Sequence, residues 1–408
     1  MTFLNPNATF SLEHPLNERP NFRVTSFLLD HIRHTMAFYH PQCIDERGGF
    51  YHYYKDDGSK YRPGSRHLVS STRFIFNYSM AFQRFGNPEY QDAVRHGLAF
   101  LREKHRNADT GGYAWTLENG QPDDVTNHCY GLAFVLLAYS KAFEAGIPEA
   151  KAYMEETWDL MERRFWEPTF SLYADEASAD WVVSSYRGQN ANMHTCEAML
   201  AAFEATHDKR YLDRAALLAD TMVNRQAAKA DGLVWEHYDA SWNPDWEYNK
   251  GDRSNIFRPW GYQPGHQVEW AKLLLILDRH QPAEWHLKRA TELFDRAVPL
   301  SWDEQHGGLV YGFDREGKFY DEDKYFWVQA ETIATAALLA DATGKDEYWQ
   351  WYDKIWDYSW KHFVDHRYGA WFRILKPDNS KYDDEKSPAG KTDYHTMGAC
   401  YEVLNVIK

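Results

Sequence analysis

Gly111-Gly112-Tyr113-Ala114-Trp115 is one copy of a short Gly/aromatic segment that recurs along the chain and decides the fold. Each copy follows one helix-like stretch and precedes another, whose first turns carry polar residues. The copies are about 60 residues apart, with one longer step of 76. A fixed period of this kind is typical of a repeat architecture. The other copies are Gly48-Gly49-Phe50-Tyr51, a weaker Thr169-Phe170-Ser171-Leu172-Tyr173, Asp231-Gly232-Leu233-Val234-Trp235, Gly307-Gly308-Leu309-Val310-Tyr311 and Tyr368-Gly369-Ala370-Trp371-Phe372.

A second series of turns, offset from the first, marks the starts of further helices. In Gly86-Asn87-Pro88-Glu89-Tyr90, a proline opens the helix and an acidic residue lies in its first turn, and both are typical of helix N-termini. Similar segments begin at Ile147, His207, Gln281 and Gly344. Two interleaved series with one period predict two helices per repeat.

We therefore predict an all-α fold, an (α/α)6 barrel of six inner and six outer helices with short β-hairpins in the connecting loops. Closure into a ring buries the edges that an open solenoid would have to cap. No Pro/Gly/Ser-rich linker divides the chain, so residues 1–408 are expected to form one domain. The longest irregular stretch, 236–261, is either a lid or a plain surface loop. Inner helices are expected near 67–85, 124–144, 190–206, 262–280, 322–342 and 390–407, and outer helices near 22–40, 88–105, 149–165, 208–226, 282–300 and 345–363.

Composition excludes several classes of protein. The net charge of −15 and the absence of a Lys/Arg-rich run disfavour nucleic acid as a partner. No stretch approaches the roughly 18 apolar residues of a membrane span. The first residues lack the basic and apolar regions of a signal peptide, and the four cysteines form no C-x-x-C pair, so we expect a cytoplasmic protein with free thiols.

Polar residues near the starts of the predicted inner helices point to one site. In a ring of parallel inner helices these starts meet at one mouth, so residues from six distant segments converge. His194, His266 and His395 occupy corresponding places, and histidine titrates close to working pH. The other candidates are Arg73, Asn127, His128, Asn190, Glu269, Trp327, Gln329 and Glu331.

Spacing suggests roles for some of these residues. His266 and Glu269 are three apart on one helix face, so Glu269 is expected to orient the imidazole of His266. Asn190 and His194, four apart, form a second expected polar pair. Arg73 would place a fixed positive charge near a developing enediolate oxygen.

Metal and cofactor chemistry are less well supported. His-x-x-Glu occurs twice and could ligate a divalent ion, but the spacing differs from the zinc motif H-E-x-x-H, and a nearby arginine disfavours a cation. The chain has no G-x-G-x-x-G after a strand, no P-loop and no G-x-S-x-G. We predict neither a metal nor another cofactor.

At these residues the chain resembles the N-acylglucosamine 2-epimerase superfamily of (α/α)6-barrel sugar isomerases and epimerases. The resemblance covers almost the whole length, and its overall pattern is most similar to the mannose isomerase branch. It rests on Arg73, Asn190-x-x-x-His194-x-x-Glu197, Pro264-Gly265-His266-x-x-Glu269-Trp270, Trp327-x-Gln329-x-Glu331 and His395.

The resemblance implies metal- and nucleotide-independent chemistry at C1 and C2 of an aldose, carried out by His266 and His395. It also implies that His194 and Arg73 bind the sugar and aid enediolate formation. The further expected substrate-binding residues are His128, Asn190, Glu269, Trp327, Gln329 and Glu331.

The favoured interpretation is an isomerase that converts D-mannose into D-fructose, with a monosaccharide as its only predicted partner. Reprotonation of C2 from the opposite face would instead make a 2-epimerase of mannose/glucose, cellobiose or N-acylglucosamine. A glycosidase or lyase using Glu269 and Glu331, and a non-catalytic sugar-binding scaffold, are further alternatives. Sulfoquinovose would need an additional cation, for which Arg187, Arg253 and Arg258 are candidates. No sequence feature specifies an oligomeric state.

Overall fold

The computed structural model describes residues 19–253, 255 and 257–407. Twelve α-helices lie within these residues, in the order that the two turn series predict. The inner helices are α2 (Leu68–Phe85), α4 (Cys129–Glu144), α6 (Gln189–Thr206), α8 (Pro264–His280), α10 (Phe326–Thr343) and α12 (Tyr394–Val403). The outer helices are α1 (Thr25–Tyr39), α3 (Pro88–Phe100), α5 (Ala150–Arg164), α7 (Lys209–Asp220), α9 (Glu284–Ser301) and α11 (Asp346–His362).

The helices form a closed double ring. Each inner helix packs against the next, and α12 packs against both α10 and α2, which closes the inner ring. The outer helices α3, α5, α7, α9 and α11 each pack on the inner helix that precedes them, and α1 packs on α12. The predicted (α/α)6 barrel is therefore confirmed.

The helix bounds differ from the predicted ones for local reasons. Inner helices α4 and α10 begin later than predicted, because extended residues at Asn127–His128 and Lys324–Tyr325 precede them. Outer helices α3 and α7 continue through π-helical turns at Leu101–His105 and Thr221–Gln226, which complete the predicted lengths. Among the helices of the described residues, none is long and apolar enough to cross a bilayer.

Short antiparallel strands lie in the connections between the helices. Three pairs, β3–β4, β6–β7 and β11–β12, are the hairpins that the sequence predicts. Five further pairs join one repeat to another, and β1–β15 joins the first repeat to the last. The strands are β1 (Tyr54–Lys55), β2 (Ser65–His67), β3 (Thr116–Glu118), β4 (Gln121–Pro122), β5 (Asn127–His128), β6 (Trp166–Glu167), β7 (Leu172–Tyr173), β8 (Glu176–Ala177), β9 (Arg187–Gly188), β10 (His237–Tyr238), β11 (Gly312–Phe313), β12 (Phe319–Asp321), β13 (Lys324–Tyr325), β14 (Ile374–Leu375) and β15 (Glu385–Ser387). The inter-repeat pairs are β1–β15, β2–β3, β5–β8, β9–β10 and β13–β14.

Glycines allow the Gly/aromatic segments to lie close to the outer helices. Gly49 has φ +69°, and a Cβ at this position would lie 2.7 Å from the ring of Phe100. Gly308 has φ +82°, and a Cβ there would overlap the ring of Tyr358. Both the left-handed backbone and the close approach require glycine.

Buried amide side chains attach three inner helices to these segments. In each case the side chain accepts a hydrogen bond from the backbone N–H of one segment residue and donates one to the C=O of the same residue, at 2.8–3.0 Å. Such pairing satisfies both backbone groups away from water. The pairs are Asn192 with Tyr173, Gln267 with Val234 and Gln329 with Leu309.

Candidate active site

A cavity of about 750 Å³, including its mouth, opens where the inner helices begin. We call it the front cavity. Every inner helix contributes to its wall, so the predicted convergence of distant segments is confirmed. Its size and mixed polar and apolar lining are typical of a small-molecule site. The helix residues are Arg73, Tyr130, Asn190, His194, His266, Glu269, Phe326, Trp327 and His395, and the loop residues include Phe257, Tyr311, Tyr325, Arg373 and Lys391.

His395 lies between a carboxylate and a guanidinium. Its Nδ1 atom is 2.6 Å from Oε1 of Glu331, and its Nε2 atom is 3.3 Å from Nη2 of Arg73. A guanidinium N–H can only donate, so Nε2 is the acceptor and Nδ1 carries the hydrogen. Burial, together with the charge of Arg73, lowers the pKa of His395 well below 6.5. His395 is therefore a neutral imidazole whose unprotonated nitrogen, Nε2, lies at the cavity.

His266 is oriented by Glu236, a residue that the sequence analysis missed. The Nδ1 atom of His266 lies 2.9 and 3.0 Å from the two carboxylate oxygens of Glu236. Glu236 also accepts a 3.0 Å hydrogen bond from the side chain of Gln189, which in turn accepts one from the indole of Trp270. This buried chain fixes the tautomer of His266, because the carboxylate oxygens of Glu236 accept the hydrogen bond that Nδ1 donates.

The predicted pairing of His266 with Glu269 is wrong. Oε1 of Glu269 lies 3.9 Å from Nδ1 of His395 instead. The three-residue spacing does place both side chains in the front cavity. The carboxylate that bonds His266, however, is that of Glu236, which follows the preceding Gly/aromatic segment.

His194 pairs with Glu197 rather than with Asn190. Its Nδ1 atom lies 2.8 Å from Oε2 of Glu197, whose other oxygen accepts a hydrogen bond from the hydroxyl of Tyr394. Burial lowers the pKa of His194, and the bond to Glu197 partly offsets this. Burial alone would raise the pKa of Glu197, but His194 and Lys272 lower it to about 2. All three cavity histidines therefore bond a glutamate through Nδ1.

Arg73 is fixed on several sides. Its guanidinium donates to the C=O of Gly390 and lies 3.3 Å from the hydroxyl of Tyr130. The rings of Phe134 and Tyr394 lie 4.4 and 4.7 Å from its central carbon. These contacts place a permanent, pre-oriented positive charge beside Nε2 of His395.

Three buried polar atoms of the cavity wall have no hydrogen-bond partner among the described residues. They are Nε of Arg73, Oδ1 of Asn190 and Oε2 of Glu269. Burial and the charge of Glu331 raise the pKa of Glu269 well above 4.5, which favours the protonated form of this carboxyl group. Buried polar groups normally bond a partner, so the oxygen atoms of Asn190 and Glu269 are suited to bind ligand hydroxyls.

Trp327 forms a wall next to both proposed catalytic histidines. Its ring centroid lies 5.0 Å from that of His266 and 5.7 Å from that of His395. The two imidazoles are thus no farther apart than the sum of these distances. Gly265 permits this arrangement, because a Cβ at that position would overlap the indole ring of Trp327.

Three predicted substrate-binding residues do not line the front cavity. Gln329 bonds the backbone of Leu309, because its position in the helix is the one that the other amide pairs use. Glu331 lies behind His395 and also bonds Nζ of Lys272. His128 packs against Trp115 at 4.1 Å.

The arginines considered for a sulfonate also lie outside the cavity wall. Arg187 pairs with Glu167 at 2.7 Å, and Arg258 pairs with Glu176 at 2.5 Å. Arg253 donates to the C=O of Tyr320. Phe257, in the irregular stretch 236–261, lines the cavity. Arg373, in a later loop, also lines it.

Glu269, Glu331 and His395 bring potential metal ligand atoms within 4.8 Å of one another. The ammonium of Lys272 already bonds Glu331, and the guanidinium of Arg73 lies beside His395. Two fixed cations next to the same ligands disfavour a third, so the residues fit a divalent ion poorly.

The family model described as N-acylglucosamine 2-epimerase (GlcNAc 2-epimerase) matches residues 49–399. The chain belongs to the N-acylglucosamine 2-epimerase family. This confirms the resemblance found in the sequence.

Two relatives and one solved structure illustrate the range of this family. The chain is 55% identical over 390 residues to the D-mannose isomerase of Marinomonas mediterranea, covering 95% of this chain and 99% of the relative. It is 25% identical over 392 residues to the cellobiose 2-epimerase of Eubacterium cellulosolvens, covering 90% and 95%. A crystal structure of D-mannose isomerase superposes with a TM-score of 0.94 at 55% identity, covering 95% of this chain and 100% of the other.

Proposed function

We propose that this family member is a metal-independent aldose–ketose isomerase that converts D-mannose into D-fructose through a cis-enediolate. One observation carries the proposal: His395, a neutral imidazole fixed by Glu331, presents its unprotonated Nε2 beside Arg73 in a sugar-sized cavity. The near full-length similarity to a D-mannose isomerase supports the choice of sugar.

We assign the transfer of the carbon-bound proton to His395. Its Nε2 atom accepts the proton from C2 of the open-chain sugar, and the electron pair of the C–H bond passes into the enediolate. Arg73, 3.3 Å from that nitrogen, supplies the charge that stabilises the enediolate oxygen. Glu331, 2.6 Å from Nδ1, stabilises the imidazolium that forms. Return of the proton to C1 gives the ketose.

His266 is assigned to the oxygen atoms of the sugar. Its Nδ1–H is fixed by Glu236, so Nε2 is the ring nitrogen available in the cavity. Proton transfer between O1 and O2 must accompany the carbon step, and a histidine is suited to it. His194, Asn190 and Glu269 are assigned to the binding of the sugar hydroxyls.

A 2-epimerase is the second candidate, and the placement of Trp327 favours it. The imidazoles of His266 and His395 both pack against this indole. If His266 returned a proton to C2 from the face opposite His395, the product would be the epimer. A glycosidase using Glu269 and Glu331 is not favoured, because Glu331 is bonded to His395 and Lys272 outside the cavity wall.

A panel of sugars tests the proposal. D-mannose, D-glucose, cellobiose and N-acetylglucosamine are incubated with and without EDTA, and the products are followed by NMR in D2O. We expect fructose from mannose at a rate that EDTA does not change. Glucose as the first and main product would favour the epimerase, and loss of turnover in EDTA would contradict metal independence.

A further inference from the structure

Lys272 is a buried lysine behind His395, and the reaction proposed above gives it no role. It lies in α8 and is only 7% exposed. In the described part of the chain it lines a second cavity, of about 620 Å³ including its mouth, and not the front cavity. We call this second cavity the rear cavity, and Lys141, Glu204 and Glu331 also line it. Lys272 therefore cannot act by contact with the sugar.

Two hydrogen bonds in series join Lys272 to His395. Nζ of Lys272 donates to Oε2 of Glu331 at 2.5 Å, and Oε1 of Glu331 lies 2.6 Å from Nδ1 of His395. The three residues belong to successive inner helices, α8, α10 and α12. Each oxygen of Glu331 thus has its own partner, and the two partners together fix the plane of the carboxylate.

Lys272 also balances the charge of Glu331. Burial raises the pKa of Glu331, and the charge and hydrogen bond of Lys272 oppose that rise. Burial lowers the pKa of Lys272, but the charges of Glu331 and Glu197 contribute to raising it above 10.5, so the ammonium keeps its proton. Removing Lys272 would favour the neutral form of Glu331, which stabilises an imidazolium less well than a carboxylate does.

The stability of the barrel is a poor explanation for this ion pair. Glu331 is 1% exposed, so both charges are removed from water. The cost of desolvating two buried charges offsets their attraction, and an apolar pair of similar size is often as stable or more stable. The contact of Glu331 with His395 is the better explanation.

We propose that Lys272 is a positioning residue of the reaction: its ammonium holds the carboxylate of Glu331 in the orientation in which Glu331 bonds Nδ1 of His395. The inference rests on the proposed function and adds a residue to it. When Nε2 of His395 has taken the proton from C2, the Nδ1–H of the imidazolium stays bonded to Glu331. No proton passes to or from Lys272, and the proton on Nε2 returns to the sugar.

The test compares Lys272→Met, Glu331→Gln and the double variant by steady-state kinetics with mannose. Methionine nearly preserves the length of the lysine side chain and removes its charge. Lys141→Met is the matched control, because Lys141 also lines the rear cavity and pairs with two carboxylates, those of Glu144 at 2.9 Å and Glu204 at 3.3 Å. Among the described residues, neither carboxylate bonds a histidine of the front cavity. Circular dichroism and thermal melts check the fold of each variant.

We expect Lys272→Met to lower kcat by at least about tenfold, as part of the roughly 10²–10⁴-fold that a general base contributes. KM for mannose should change little, because Lys272 does not touch the sugar. In the Glu331→Gln background the same substitution should change kcat by less than about threefold, because the interaction between the two residues is already lost there. Lys141→Met should keep the kcat of the wild type.

A folded Lys272→Met variant with the kcat of the wild type would overturn this inference and leave the proposed function intact. So would an unchanged kcat in Glu331→Gln, or equal losses from Lys272→Met with and without Glu331, since Lys272 would then act independently of that residue.

If Lys272→Met alone does not fold, the double variant decides. A kcat equal to that of Glu331→Gln supports the inference. A further loss of about tenfold, or a double variant that does not fold, overturns it, because Lys272 would then be needed for another reason. A wild type that leaves mannose unchanged would contradict the proposed function, and this inference with it.

Discussion

Glu236 bonds Nδ1 of His266 through both carboxylate oxygens, although the two residues are 30 positions apart in the chain. Glu236 directly follows the segment Asp231-Gly232-Leu233-Val234-Trp235, and His266 lies in the first turn of α8. The same segment is attached to α8 by the amide pair of Gln267 with Val234. The orientation of His266 therefore depends on the repeat that also builds the barrel.

Replacing Glu236 with glutamine should lower kcat by roughly 10²–10⁴-fold, because the neutral amide cannot stabilise an imidazolium and its single oxygen cannot serve both His266 and Gln189. KM for mannose should change little. Steady-state kinetics test this, with the exposed Glu247→Gln as the control. An unchanged kcat in Glu236→Gln would remove Glu236 from the mechanism.

Asn190 and Asn192 are predicted to behave differently although they are neighbours in α6. Oδ1 of Asn190 has no partner in the described part of the chain and belongs to the cavity wall, so Asn190→Ala should lower kcat/KM by about tenfold without changing Tm. Asn192 bonds the backbone of Tyr173, so Asn192→Ala should cost about 2 kcal/mol of stability. Kinetics and thermal melts of both variants check this. A lowered Tm with unchanged kinetics in Asn190→Ala would refute the assignment.

Arg73→Lys should lower kcat by about 10²-fold despite the retained charge. An ammonium cannot donate to Gly390, approach the hydroxyl of Tyr130 and lie beside His395 with the geometry of the guanidinium. The control is Arg84→Lys at the exposed end of the same helix, which should leave kcat unchanged. Full activity in Arg73→Lys would show that only the charge matters.

Buried histidines should make the protein less stable as the pH falls. Burial lowers the pKa of His31 and of His67 to about 3, and that of His105 to about 4. In the unfolded chain histidine titrates near 6.5, so between pH 7 and 5 the unfolded state binds protons that the folded state does not. Each such group lowers the free energy of unfolding by up to about 1.4 kcal/mol per pH unit below 6.5.

Asp175 and Glu269 act in the opposite sense. Burial raises the pKa of Asp175 to about 8 and that of Glu269 well above 4.5, so the folded state holds protons that the unfolded state releases. The buried histidines with a lowered pKa, which also include His52 and His395, outnumber these two groups, so the decline should dominate. Urea denaturation at pH 7 and pH 5 measures the difference. His31→Gln removes one buried histidine, so the loss of unfolding free energy between pH 7 and pH 5 should be smaller by the amount that one such group contributes. Equal or greater stability at pH 5 would show the sign to be wrong.

The repeat pattern was sufficient to predict the barrel, because each Gly/aromatic segment fixes where one helix ends and the next begins. It also predicted that His194, His266 and His395 share a cavity, since the inner helices start at the same end. Helix geometry alone could not identify Glu236, whose approach to His266 depends on the loop between two helices. A polar residue directly after the segment was the available signal.

Gln329 shows the opposite kind of error. Its position near the start of an inner helix predicted sugar binding, yet its amide faces the backbone of Leu309. Residues in the first turn of an inner helix point either to the cavity or to the preceding segment. The exact position in the helix distinguishes the two directions. Gln329 is the fourth residue of α10, as Asn192 is of α6 and Gln267 is of α8, and all three bond the preceding segment.

The proton-transfer step at C2 is the central claim, and exchange of the C2 hydrogen of mannose with D2O measures it most directly. The experiment compares the wild type with His395→Asn and His266→Asn under the same conditions. We predict that His395→Asn loses both C2 exchange and fructose formation by at least about 10²-fold, and that His266→Asn loses fructose formation. A His395→Asn variant that is folded and keeps more than about a tenth of the wild-type C2 exchange would contradict the account, because general acid–base groups contribute roughly 10²–10⁴-fold.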